Sequence, residues 1–96
     1  KVEIDPEARA QYLQPKRLEL LRELRSRLEE HPDFQASSIE AFLRAFAAER
    51  GLKLVEVAQP IRAALTGRTV SPPLFEVMAL LGKPLCLKRL NAILGE

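Results

Sequence analysis

The chain has 96 residues, is 47% hydrophobic and 29% charged, and carries a formal net charge of +2. That is one domain's worth of sequence, with a modest core burying roughly 60–70% of the unfolded surface. One cysteine, Cys86, and one histidine, His31, exclude an internal disulfide and any zinc site made of cysteine and histidine.

No run approaches the ~18 consecutive apolar residues of a membrane span, and no signal-peptide pattern is present. The single cysteine makes a reducing cytoplasm the expected setting. The start at Lys1, without methionine, reads as the interior of a longer protein, with a processed start as the alternative. Charge is uneven along the chain. Residues 1–52 hold nine basic and ten acidic side chains, residues 53–96 six and three, so the second half carries the basic surplus. Such a surplus is a weak pointer to a polyanionic partner.

Taken in chain order, the segments are helical throughout. Asp5-Pro6 is a cap followed by a first-turn proline, which predicts a short helix over "PEARAQYL". Pro15 opens a longer one, where Leu18, Leu21, Leu24 and Leu28, with neighbouring Leu20, form a stripe. Its charges predict a solvated face, with Glu19 reaching Arg22 and Glu23 reaching Arg27 along the helix. His31-Pro32 ends it, and His31 reads as a solvated turn residue. Ser37 and Glu40 have capping-box spacing ahead of a stripe of Ile39, Phe42, Leu43, Phe46 and Ala47, closed by Gly51.

In "LKLVEVAQPIRAALTG" the stripe is Leu54, Val57, Ala58, Ile61 and Leu65. Pro60 cannot donate to the carbonyl four residues back, so it either kinks or restarts the helix. Gln59, Arg62 and Thr66 stack along an adjoining face, and Gly67 supplies a left-handed exit. Ser71 is the expected cap of the next helix, with Pro72 at its first position and Leu74, Val77, Met78 and Leu81 as its stripe. Gly82 ends it. Pro84 starts a last helix packing Cys86, Leu87, Leu90, Ile93 and Leu94. The expected fold is therefore all-α: a compact bundle of five to six short helices in a single domain over residues 1–96.

Catalytic chemistry has little to work with. There is no phosphate-binding glycine loop and no histidine in a pocket, and the carboxylates fall mostly on a solvated helix, so no catalytic or metal-binding residue is assigned. A binding surface fits better. Gln59 offers a donor and an acceptor, Arg62 a planar fork, and Thr66 and Ser71 hydroxyls. Such groups can read base edges, while an unstacked base can lie on arginine, phenylalanine or proline. Pro72 and Pro73 remove donors from the expected helix start, which suits bases better than phosphates. Lys83, Lys88, Arg89 and Arg68 are the cations expected to be free for phosphate. A DNA-reading helix-turn-helix would put polar and basic side chains on the helix after the turn, but "PPLFEVMALL" holds only Glu76 as a charge. DNA is not the expected partner. A helical protein-interaction module with no RNA role is the alternative reading.

Four ordered motifs carry a family resemblance: Gln59-Pro60-Ile61-Arg62, Ala64-Leu65-Thr66-Gly67, Ser71-Pro72-Pro73-Leu74 and Leu81-Gly82-Lys83. With "SSIEAFLRAFAAERGLK" upstream, they resemble the C-terminal end of bacterial glutamyl-tRNA synthetases over roughly residues 16–94. The resemblance implies an anticodon-binding helical domain of an enzyme that attaches glutamate to its tRNA with ATP and Mg in a separate catalytic domain. It implies contact of Arg62, Ser71, Pro72 and Leu74, with Phe75, to the anticodon bases of glutamate tRNA. Gln59, Thr66 and Arg68 join them on the helix-face argument alone. No cofactor is expected in this chain, which would bind as a monomer without catalysing. Two departures stand out: Pro84-Leu85-Cys86 replaces charged residues common after Leu-Gly-Lys, and Phe34 stands where tryptophan is frequent.

Overall fold

Each apolar stripe becomes one helix. A computed structural model describes residues 2–95 and orders them as α1 (Pro6–Tyr12), α2 (Pro15–Glu30), α3 (Ala36–Glu49), α4 (Leu54–Thr66), α5 (Leu74–Leu81) and α6 (Lys83–Leu94). No strand occurs among the described residues. α4 is the hub. It packs against α1, α2, α3 and α6, while α5 packs on α3 and α6. Accordingly its buried set is wider than one stripe: Pro60, Ala63 and Ala64 join Val57, Ala58, Ile61 and Leu65. The alanines let neighbouring helices approach closely, and the large fully buried side chains (Leu21, Leu24, Leu28, Ile39, Leu43, Phe46, Met78 and Leu90) fill the space around them. Each contributes about 1.5–3 kcal/mol through area removed from water. Phe34 packs half-buried against this core.

Pro60 does not restart α4; the helix runs through it. The missing N–H leaves the Glu56 carbonyl without its intrahelical donor. Arg17, on α2, supplies one: its Nη1 donates to the Glu56 carbonyl at 3.2 Å. The same device recurs at the other end of α4, where Arg89 Nη1 from α6 donates to the Leu65 carbonyl at 2.9 Å. It recurs at the end of α2, where Lys83 Nζ donates to the His31 carbonyl at 2.6 Å. Orphan carbonyls near helix ends attract cations by both hydrogen bonding and the helix dipole.

Several expectations are corrected by packing between helices. Glu23 pairs with Arg50, and Arg27 with Glu49 at 3.0 Å, so these two pairs join α2 to the end of α3, while Arg25 and Glu29 pair along α2 itself at 3.0 Å. Arg50 also lies over the Phe46 ring, 3.6 Å from its centroid, capping a core aromatic with a cation. His31 is half-buried rather than solvated. Its Nε2 pairs with Ser38 Oγ at 2.9 Å and its ring meets Phe42 at 4.9 Å. α3 begins at Ala36 with Gln35 as its cap, ahead of the expected Ser37, and Glu40 pairs with Arg44 instead. The half of a capping box that does form lies at α4, where the Lys53 N–H donates to Glu56 Oε2 at 2.8 Å.

Candidate nucleic-acid interface

The polar face of α4 and the loop after it form one hydrogen-bonded unit. Gln59 Oε1 accepts from Arg62 Nε at 3.1 Å, and Gln59 Nε2 donates to the Thr69 carbonyl at 3.1 Å. Arg62 Nη1 donates to Ser71 Oγ at 3.3 Å, and Ser71 Oγ donates to the Pro72 carbonyl at 2.8 Å. Thr66 Oγ1 donates to the Arg62 carbonyl at 2.7 Å and accepts from the Arg68 N–H at 3.1 Å. The spacing of Gln59, Arg62 and Thr66 therefore serves first to pin residues 68–72 against α4.

That pinning fixes the plane of a half-buried guanidinium. Two of the five N–H groups of Arg62 are engaged, on Nε and Nη1, which leaves the Nη2 pair and one Nη1 hydrogen as donors. In the loop it holds and the start of α5 that follows, Arg68, Val70, Pro72 and Pro73 are exposed, and Phe75 is half-buried. Val70, at 79% relative exposure, is an apolar side chain with no stripe to join. An oriented fork beside exposed apolar and proline surface can donate hydrogen bonds to a base edge and cover its face.

The helix start is not where the sequence suggests. α5 begins at Leu74 with Pro73 as its cap, so Ser71 and Pro72 precede the helix and Ser71 serves Arg62 instead. Of the donors that a helix start leaves unpaired, only the one at Pro73 is lost. The N–H groups of Leu74, Phe75 and Glu76 have no intrahelical partner, so this corner keeps more donors than the paired prolines implied. Leu74 is 3% exposed and points into the core; only its backbone can face a ligand.

Comparison with known proteins places the chain in a family. The family model described as an anticodon binding domain matches residues 1–94. The chain belongs to that family. This anticodon-binding domain is homologous to the C-terminal region of glutamyl-tRNA synthetases. It is 51% identical over 87 residues to the glutamate–tRNA ligase of Rhodopseudomonas palustris, covering 91% of this chain and 18% of that protein. It is 53% identical over 78 residues to that of Thermus thermophilus, covering 81% and 17%. A crystal structure of a glutamate–tRNA ligase from Elizabethkingia meningosepticum superposes with a TM-score of 0.90 at 26% identity, covering 97% of this chain and 18% of that one. The chain thus spans less than a fifth of the relatives it matches.

Within the anticodon-binding domain, the fold joins Gln59, Arg62, Thr66, Arg68 and Ser71 into one network and sets Pro72 beside it. The cations expected to take phosphate divide. Lys83 and Arg89 are bound to main-chain carbonyls and serve the fold, while Lys88 and Arg68 are exposed. What sequence reasoning missed is the Arg62–Ser71 bond, the Thr69 carbonyl and Val70. None of these has a periodicity signal, because all depend on how the loop folds back.

Proposed function

We propose that this chain reads the anticodon loop of glutamate tRNA as the non-catalytic, C-terminal module of a glutamate–tRNA ligase. Arg62 carries the reading. Its half-buried fork is oriented by Gln59 and Ser71, which leave the Nη2 pair unengaged, an arrangement that suits a base edge. Ser71, Pro72, Val70 and Phe75 frame the base, Leu74 contributes through its backbone, and Gln59 and Thr66 position the reader. Lys88 and Arg68 neutralise phosphate. ATP and Mg act in the catalytic part of the ligase, and this module works as a monomer in the cytoplasm.

Titration with a glutamate-tRNA anticodon stem-loop, and with one altered in a single anticodon base, tests the reading. Wild-type chain prefers the first. Arg62→Ala costs about 1–3 kcal/mol and relaxes the preference at one position. Equal binding of both loops by the wild type, or an unchanged preference in Arg62→Ala, refutes it; the first result would favour a protein-interaction role.

A further inference from the structure

Gly67 is required for two separate reasons. With φ 77°, it ends α4 in the left-handed region, where a side chain is strained. It is also buried under the segment that precedes α1: a Cβ there would overlap the Glu3 carbonyl oxygen and come within 3.2 Å of Val2 Cγ1. The Asp5 N–H donates to the Gly67 carbonyl at 2.8 Å, locking that segment in place. Gly51 is the natural contrast, with φ 65° and nothing within 4 Å of a Cβ. Conformation alone accounts for Gly51; at Gly67 there is a contact as well.

The position of that contact gives it meaning. Gly67 is the first residue of the loop whose next members are fastened to the reading face: the Arg68 N–H to Thr66, the Thr69 carbonyl to Gln59, and Ser71 to Arg62. The segment Val2–Asp5 is itself anchored, through half-buried Ile4 against the core and through α1 against α4. We propose that Val2–Asp5 is a strap that positions the loop through Gly67, and so sets how selectively Arg62 discriminates between bases. Gly67 is a positioning residue: it touches the strap, not the RNA. This inference rests on the anticodon reading above.

Two readouts test it, on wild-type chain, Gly67→Ala, Gly51→Ala, a chain lacking residues 1–4, and that truncation combined with Gly67→Ala. One is the NMR cross-peaks of the Gln59 side-chain amide and the Arg62 Nε–H; the other is the affinity ratio for cognate and altered stem-loops. Gly51→Ala carries comparable backbone strain and should leave both unchanged. Gly67→Ala and the truncation should each shift the cross-peaks and lower the ratio at least about threefold. In the truncated chain Gly67→Ala should lower the ratio no further, because Val2 and Glu3, which its Cβ would displace, are gone. If Gly67→Ala fails to fold, the truncation alone carries the test. Unmoved cross-peaks, or an unchanged ratio in a wild-type background that discriminates, overturn the strap. A wild type that binds both loops equally overturns the anticodon reading and the specificity role with it, while the cross-peaks still report whether the strap holds the loop.

Discussion

The bond from Arg17 to the Glu56 carbonyl makes a prediction that couples residues on different helices. Arg17→Met keeps most of the aliphatic stem and removes the donor. A hydrogen bond from a charged group contributes about 1.5–3 kcal/mol. This one is 3.2 Å long and half-buried, so about 1 kcal/mol is the reasoned loss. For a domain of this size that lowers Tm by about 4–8 °C. In Pro60→Ala the new N–H can donate to the same carbonyl along the helix. Pro60→Ala alone mixes relief of a helix-interior proline with loss of a buried ring and a more flexible unfolded chain, so its own sign decides nothing. What decides is the cycle: in the Pro60→Ala background, Arg17→Met should cost at most about 0.3 kcal/mol, giving a coupling near 0.7 kcal/mol. Urea denaturation of the four chains, with m checked for constancy, measures it. An Arg17→Met cost that is the same in both backgrounds refutes the idea that Arg17 completes α4.

The two lysines of α6 should separate cleanly. Lys83→Met removes the cap on the His31 carbonyl and should lower stability by about 1 kcal/mol, while leaving the salt dependence of stem-loop binding unchanged. Lys88→Met should change stability by less than about 0.5 kcal/mol and flatten that salt dependence by close to one counterion. The Glu49 carboxyl is held below its ordinary value of 4.5, chiefly by its hydrogen bond to Arg27 and then by that arginine's charge. A depressed folded-state pKa adds stability above the unfolded value, and this is lost as pH falls through the folded one. Glu49→Gln should therefore flatten the acid limb of the stability curve below about pH 4.5, and high salt should shrink the difference because the pair is exposed. Ser71→Ala frees one end of the Arg62 fork; the base preference should fall by less than in Arg62→Ala and recover in Ser71→Thr.

The apolar pattern carried most of the fold. Leu21, Leu24 and Leu28 of α2, and Ile39, Leu43 and Phe46 of α3, are buried where the helical repeat put them. Ends were less legible, since Ser37 and Ser71 are good caps by residue type yet the chain uses Gln35 and Pro73. A cap is chosen by where the connecting loop must go, and that depends on the helix it returns to. The cations were least legible. Whether Arg17, Lys83 or Arg89 faces solvent is decided by carbonyls at least 24 positions away. At the site the i, i+3, i+7 face of Gln59, Arg62 and Thr66 was readable from spacing. Ser71 joins them by its hydroxyl chemistry and by the family resemblance, but the physical reason, the bond to Arg62, required the folded loop.

Cys86 lies fully buried between α6 and α5, its thiol directed to the Met78 carbonyl at 3.6 Å, and burial pushes its pKa up to about 11. A thiol held so far up stays almost entirely protonated at pH 8, so an alkylating reagent has little to attack while the seam is shut. The chain is thereby supplied with its own clock. The rate at which a small iodoacetamide captures this sulfur counts the moments when α6 lifts from α5, with no label introduced. RNA held at the far end of α5 should slow that count, so one chemical quench can report on the reading edge from the interior of the protein.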